Sequence, residues 1–153
     1  EDATLGEELE SVDNYIYILN VRFAGDIHFN KDVDESLENV RVPSMILQPV
    51  VENAVNHGIR DIEWEGKIHL TVTGDADYIR ISVKDNGKGM TPEQIESVLS
   101  GNKEHCNEQS DSTGIGMNNV ISRLELYYEE PGLVEINSDG ENKGTEVVIY
   151  IPV

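Results

Sequence analysis

Basic residues are scarce in this sequence. Its 153 residues include 30 Asp and Glu against 11 Lys and Arg, so the formal net charge at pH 7 is −19. A field of this sign repels phosphate backbones and anionic membrane surfaces, which argues against nucleic acid as a partner. A small polyanionic ligand would need local devices, namely helix N-termini, backbone amides, a divalent cation and a few placed side chains.

Cysteines and long apolar stretches are scarce too. The single cysteine, Cys106, excludes an internal disulfide, and no Cys/His cluster has the spacing of zinc ligands. No apolar run approaches the roughly 20 residues that a membrane helix needs. We therefore expect this segment to lie in a reducing compartment, the cytoplasm.

The apolar content of 38% is sufficient for one domain with its own core. Near the start, six apolar residues recur at alternating gaps of four and three, which predicts a helix with a narrow apolar seam. The seam consists of Leu5, Leu9, Val12, Ile16, Leu19 and Phe23. Either this helix docks on its own domain, or it belongs to a helical bundle that continues upstream; we favour the bundle.

A second helix is predicted over residues 42–58, with Pro43 at its start and Gly58 as a left-handed stop. Pro49 lies inside this run, so it must either occupy the first turn or kink the helix. The helical pattern is clearest from Val50 to His57.

Alternating apolar residues predict strands over residues 27–33, 67–73, 78–84, 133–137 and 145–153. The short connection over residues 74–77 makes an antiparallel hairpin. Thr91 and Gln94 form a capping box for a helix that ends near Leu99, and a further helix is predicted over residues 114–128. Residues 101–113, polar and without a period, are predicted to be a mobile loop placed like a lid. The expected fold class is α+β, with one mixed, mostly antiparallel sheet and helices on one face.

Three stretches stand out together: residues 52–57 on a helix, the glycine loop 85–90, and residues 112–117 entering another helix. With Gly144 and Thr145, their order resembles the ATPase superfamily shared by gyrase, the heat-shock chaperone of the ninety-kilodalton class, histidine kinases and MutL. The segments LQPVVENAVNHGI, VKDNGKGM, GIGMNNVISRL and GTEVVIYIP resemble the LytS/YesM branch of bacterial sensor histidine kinases. The resemblance spans residues 5–152, and it implies a two-layer α/β sandwich of the Bergerat type that binds ATP and Mg²⁺.

Within this resemblance, Asn53 takes the role of metal ligand. An amide oxygen suits Mg²⁺, which keeps several waters and needs only one or two protein ligands beside phosphate oxygens. Glu52 lies on a different helical face, and it either orients a metal-bound water or is merely solvated. We count both residues as catalytic candidates.

Asp85 resembles the family aspartate that accepts a hydrogen bond from the adenine amino group, a pairing that selects adenine over guanine. Gly87 and Gly89 lack a Cβ, so their backbone can lie against the base. Met90 either packs on the adenine face or is a core methionine. Thr145 resembles the threonine that reaches the adenine edge, and an ordinary strand threonine is the alternative.

The segment Gly114, Ile115, Gly116 and Met117 is expected to bind the triphosphate, because glycines preceding a helix leave its N–H groups and positive dipole end open to phosphate. Arg123 lies one to two turns inside that helix, so we expect a structural ion pair there.

Two departures from the family pattern bear on the chemistry. Many relatives have Lys at the position of Asn56, so this chain lacks a positive charge there, although Asn56 and the neighbouring His57 remain expected cofactor contacts. Hydrolytic members carry a general-base Glu where this chain has Pro49. This favours phosphate transfer to an external nucleophile over hydrolysis of ATP.

The resemblance places the phosphate-accepting histidine on an upstream helix that this sequence does not include. It divides the chain into residues 1–24, the end of a dimerisation and phosphoacceptor region, and residues 25–153, the catalytic domain. The implied partners are ATP, that upstream helix, a response regulator and a second copy of the full-length protein, a membrane-bound sensor with this part in the cytoplasm. The alternatives are a nucleotide-binding regulatory module without transfer activity and a hydrolytic ATPase.

Overall fold

The computed structural model of the chain describes residues 1–22, 27–101 and 111–153, with backbone alone for residues 111–115. The elements are β1 (Asp2–Thr4), α1 (Leu5–Arg22), β2 (Ile27–Val33), a 3₁₀ turn (Glu35–Leu37), β3 (Arg41–Pro43), α2 (Leu47–Asn53), a π-helical turn (Ala54–Ile59), β4 (Gly66–Gly74), β5 (Tyr78–Asp85), α3 (Pro92–Ser100), α4 (Asp111–Tyr128), β6 (Val134–Asn137) and β7 (Thr145–Pro152). Within these ranges, no helix is long and apolar enough to cross a membrane.

Five strands form the main sheet in the order β2-β4-β5-β7-β6. Strand β2 runs parallel to β4, and the other neighbours are antiparallel. The β4–β5 hairpin closes where Oδ1 of Asp75 accepts hydrogen bonds from the N–H groups of Asp77 and Tyr78, at 2.8 and 2.9 Å. The mixed, mostly antiparallel sheet predicted from the sequence is confirmed.

The two faces of the sheet differ because its strands alternate. Ile68, Leu70 and Val72 of β4 are fully buried on one face, where α1, α3 and the π-helical turn contact the strands. The β4 side chains on the opposite face are polar and at least partly exposed; there Nε2 of His69 lies 3.2 Å from Oδ2 of Asp32. The helices therefore form a second layer on one side, as predicted.

Helix α1 packs against α2 and β2. Its seam residues Leu5, Leu9, Val12 and Ile16 are at most 5% exposed and belong to the domain core. These four residues therefore pack against their own domain, as expected for a helix that docks on it. Phe23 lies outside the described residues, and the division at residue 24 stays a prediction.

The single helix predicted over residues 42–58 is wrong in three respects. Val42 and Pro43 belong to β3, because they pair with Ala3 and Asp2 of β1, and the helix begins only at Leu47. A π-helical turn follows α2. Gly58 is not a left-handed stop, since the π-helical turn runs through it and ends beyond it.

Pro49 occupies the first turn of α2. An N–H group at this position has no acceptor within the helix, so proline breaks no helical hydrogen bond there and no kink results.

In α3 the predicted capping box is present: the hydroxyl of Thr91 accepts from the N–H of Gln94, at 3.1 Å, and the N–H of Thr91 donates to Oε1 of Gln94, at 2.9 Å.

Helix α4 begins at Asp111, three residues before the predicted start. Asp, Ser and Thr serve both as caps and as first-turn residues, so the sequence left this boundary ambiguous. The last three residues of the predicted lid, 111–113, are therefore helical. Residues 102–110, the rest of that lid, lie outside the described part of the chain.

Candidate functional site

A cleft of about 910 Å³ opens among the end of α2 with its π-helical turn, the loop after β5, the start of α3 and the turn before β7. It brings together seven of the predicted site residues. These are Asn53, Asn56, His57, Asp85, Gly89, Met90 and Thr145. Segments distant in the chain thus meet at one site.

Asp85 closes β5 and is 7% exposed. Its Oδ1 accepts hydrogen bonds from the N–H groups of Gly87, at 2.8 Å, and of Thr145, at 3.3 Å. Burial raises the pKa of Asp85 to about 6, although both hydrogen bonds lower it. Since Oδ1 is engaged, Oδ2 is the oxygen that can accept from a ligand; no described residue donates a hydrogen bond to it.

Gly58 and Gly87 allow the π-helical turn to lie directly against the glycine loop. A Cβ on Gly58 would lie 2.7 Å from Oδ2 of Asp85, and a Cβ on Gly87 would lie 1.9 Å from the carbonyl oxygen of Gly58. The N–H of Lys88 donates to that same carbonyl, at 2.8 Å. Gly58 therefore sets the position of the Asp85 carboxylate, a role that sequence analysis missed when it assigned this glycine as a helix stop.

Gly89 and Gly144 both have φ of +77°, which favours glycine. The hydroxyl of Ser138 links the glycine loop to the turn before β7: it accepts from the N–H of Met90, at 3.0 Å, and donates to the carbonyl of Gly144, at 2.7 Å. Ser138 could not be predicted from the sequence, because nothing local marks a turn serine as part of the site. Met90 lines the cleft and also packs against the core, as the core interpretation requires, and its contact with adenine stays a prediction.

Asn53 ends α2, and its Oδ1 is buried without a hydrogen-bond partner among the described residues. An unpaired buried carbonyl oxygen is costly, so this atom suits a ligand or a cation. In the described ranges, no group of three or more His, Cys, Asp or Glu side chains could hold a metal. The amide oxygen of Asn53 fits a hard cation that takes one protein oxygen and otherwise binds water and ligand oxygens.

His57 also lines the cleft, and its Nε2 is buried without a partner in the described part of the chain. Burial, and then the charges of Lys88 and Arg60, lower the pKa of His57 below 6.5. The imidazole is consequently neutral at pH 7. Asn56, one residue earlier, lines the cleft and is half-buried.

Glu52 is half-buried and does not line the cleft; Nε2 of Gln48 donates to its Oε1, at 3.4 Å. Its catalytic role stays a prediction.

The segment 114–117 is placed differently from expectation. Gly114 and Gly116 do not precede the helix, because α4 starts at Asp111 and includes both. Met117 is 1% exposed and belongs to the core. The side chain of Ile115 lies outside the description, so phosphate contacts from residues 114–117 stay a prediction.

Arg123 has the structural role that was expected, with a different partner. Its Nη2 donates to the hydroxyl of Ser44, at 3.2 Å, rather than to a carboxylate. The helix α4 is thereby tied to the segment that leads into α2.

A family model described as "Histidine kinase-, DNA gyrase B-, and HSP90-like ATPase" matches residues 41–153. The chain is 34% identical to the sensor histidine kinase YpdA of Escherichia coli over 152 residues, which are 99% of this chain and 25% of that protein. It is 31% identical to the sensor histidine kinase YesM of Bacillus subtilis over 150 residues, 98% of this chain and 24% of that protein. The chain thus spans about a quarter of the length of these curated relatives.

The fold has solved counterparts. The catalytic domain of histidine kinase ThkA superimposes with a TM-score of 0.68 at 23% identity, over 99% of this chain and 94% of that one. This likeness supports the architecture, a two-layer sandwich with a five-stranded mixed sheet.

Proposed function

Because this chain belongs to the family of histidine kinase-, DNA gyrase B- and HSP90-like ATPases, we propose that it is the ATP-binding catalytic domain of a sensor histidine kinase of the LytS/YesM type. In this proposal the γ-phosphate of ATP passes to a histidine on an upstream helix of the same protein. The observation that carries the proposal is that two residues line one cleft: Asp85, with an oriented carboxylate, and Asn53, whose amide oxygen has no hydrogen-bond partner among the described residues.

Asp85 would recognise adenine through Oδ2. Two backbone N–H groups hold Oδ1, so the carboxylate cannot rotate freely and Oδ2 stays in place to accept from the adenine amino group. Guanine has a carbonyl at that position, and two oxygens would face each other. Gly89 would bring backbone close to the base, with Met90 and Thr145 at its edges, whereas Gly87 packs on Gly58 and does not line the cleft.

Asn53 is the residue that would hold Mg²⁺, through the Oδ1 atom that has no partner in the described ranges. The bound cation would supply charge neutralisation at the phosphates. Asn56 and the neutral His57 line the same region of the cleft and would donate or accept hydrogen bonds around the phosphates. Glu52, which does not line the cleft, would act through water.

Phosphate transfer is favoured over hydrolysis by Pro49. It lies in the first turn of α2, four residues before Asn53, where hydrolytic members of the superfamily have a general base, and proline carries no acid–base group. His28 and His69 are exposed and paired with Glu65 and Asp32, so neither resembles an acceptor held in the cleft. The proposal therefore uses an external nucleophile.

The wider arrangement is part of the proposal. The relatives are about four times longer than this chain, which leaves room for a sensor part and a phosphoacceptor helix. We place residues 1–24 at the end of that helical region and residues 25–153 in the catalytic domain, in a cytoplasmic position of a membrane-bound homodimeric sensor that serves a response regulator.

Three outcomes of one experiment separate this function from its alternatives. Calorimetric titration with ATP and Mg²⁺ measures binding, and a longer chain with the upstream segment is assayed for acid-labile phosphate on histidine. Binding with transfer supports the kinase. Binding without transfer would indicate a regulatory module, and steady phosphate release by the present chain alone would indicate a hydrolytic ATPase.

A further inference from the structure

Arg60 and Lys88 are the two fully charged basic residues among the described residues that line the cleft. The chain carries 30 acidic residues against 11 basic ones, so cations at this place are a departure from its general charge. Both side chains are exposed, and neither has a carboxylate partner in the described ranges. Most other arginines of this chain are already bound to a side chain.

The backbone brings these two residues to one wall of the cleft. The N–H of Arg60 donates to the carbonyl of Val55, at 2.9 Å, which closes the π-helical turn. The N–H of Lys88 donates to the carbonyl of Gly58, at 2.8 Å. Both residues line the cleft together with His57, and their charges, after burial, lower the pKa of its imidazole.

The same cleft is lined by four carboxylates, Asp61, Asp85, Asp139 and Glu141. Adenine and ribose carry no charge, whereas the phosphates of a nucleotide are strongly anionic and would be repelled by these groups. Asn56, which also lines the cleft, is neutral. The phosphates are therefore the part of the ligand that would attract an unpaired cation at this place.

We infer that Arg60 and Lys88 form a cationic pair that binds the phosphate oxygens of the nucleotide, a role that rests on the proposed function and extends its site. Arg60 can offer a planar fork of donors and Lys88 a compact ammonium, so the two suit different oxygens of one polyphosphate. The pair offsets locally the field that opposes the ligand.

The test compares Arg60→Ala, Lys88→Ala and the double variant with the unchanged chain, using ATP, ADP and adenosine as ligands at low and high salt. The hydrogen bonds described for both residues are made by their backbone, so truncation leaves them in place. Lys84→Ala is the matched control. It removes the same charge four residues earlier, from the exposed face of β5, and Lys84 does not line the cleft.

Each single variant is expected to lower ATP affinity by roughly fivefold, which is the upper end of the effect of losing one exposed ion pair. The double variant is expected to lower it by roughly twentyfold. ADP should lose less, adenosine should be unaffected, and the salt dependence of ATP binding should weaken. Lys84→Ala should bind ATP within about twofold of the unchanged chain, and Lys88→Arg should retain most of the affinity.

ATP affinities of the variants equal to that of Lys84→Ala would overturn the inference. An equal loss for adenosine and ATP would overturn it too, because the site as a whole would then have changed. If the unchanged chain bound no nucleotide at all, the proposed function itself would fail, which is a distinguishable result.

Discussion

The carboxylate of Glu8 caps the helix that begins at Leu47, although 39 positions separate the two residues in the chain. One oxygen of Glu8 accepts from the N–H groups of Ile46 and Leu47, at 2.8 and 3.1 Å, and the other accepts from Met45, at 3.0 Å. Ile46, at the N-cap position, supplies no side-chain cap itself. Helix α1 thus completes the start of α2, whose last residue is Asn53.

Replacing Glu8 by Ala should destabilise the fold by about 1–3 kcal/mol, because backbone N–H groups at a buried helix start would lose their acceptor. Chemical denaturation gives the free energy of unfolding. Glu10→Ala is the control: Glu10 is exposed on the same helix, so its loss should cost less than about 0.5 kcal/mol. Equal effects of the two substitutions would contradict the capping role.

Asp85→Asn should reduce ATP affinity by at least about tenfold while leaving the fold intact. The amide oxygen of Asn can accept from Gly87 and Thr145 in place of Oδ1, which turns the amide NH₂ toward the adenine amino group, donor against donor. Calorimetric titration measures the affinity, and the far-ultraviolet circular dichroism spectrum reports the fold. An unchanged affinity would show that Asp85 does not contact the base.

Asp85 should also give stability a particular pH dependence. Its pKa rises from 3.8 to about 6 on folding, so between these values the folded state binds the proton more tightly than the unfolded state. The contribution of Asp85 to the free energy of unfolding therefore falls as pH rises through this window, by up to about 3 kcal/mol. The difference in free energy of unfolding between the unchanged chain and Asp85→Asn, followed by denaturation from pH 4 to pH 7, isolates this residue. A difference that stays constant with pH would refute the shift.

Gly58→Ala should destabilise the protein by about 1–3 kcal/mol and weaken ATP binding, because the new Cβ would lie 2.7 Å from the Asp85 carboxylate. Gly116→Ala provides a contrast, since a Cβ there meets nothing within 4 Å and the residue lies inside α4. That substitution should stabilise the nucleotide-free protein by up to about 1 kcal/mol. Thermal and chemical denaturation without nucleotide test the pair; equal and small effects would argue against the close contact.

Asn53→Ala should remove the magnesium-dependent part of ATP affinity and leave adenosine affinity unchanged. The reason is that Oδ1 of Asn53 has no partner among the described residues, whereas the proposed base contacts belong to Asp85. Titrations with and without Mg²⁺ separate the magnesium-dependent part of the ATP affinity from the part due to the base. Should Mg²⁺ still strengthen ATP binding to the same extent in this variant, another group holds the metal.

Several elements could be predicted because their signals are local. The alternation of β4 and β5, the short link between them and the capping box of Thr91 and Gln94 are each decided within a few residues. The glycine loop after Asp85 likewise carries its own turn chemistry. The helix over 42–58 failed for the opposite reason: Pro43 is a good helix start by local rules, yet strand β1 pairs with it.

The site residues likewise differ in whether a local sequence signal marks them. Asn53 and Asp85 were identified from their motifs, and the fold brings both to one cleft. Ser138, Arg60 and Lys88 were missed because an ordinary serine or surface cation has no local signature.

By itself the sequence determined the five strands of the main sheet, the hairpin and the glycine loop, since these depend on neighbours in the chain. Only the tertiary structure decided that Glu8 caps α2, that Gly58 leaves space for Asp85, and that two cations with no carboxylate partner among the described residues line the cleft. Each of these depends on contact between segments distant in the chain, and the packing of α1, the π-helical turn and the sheet determines where such segments meet.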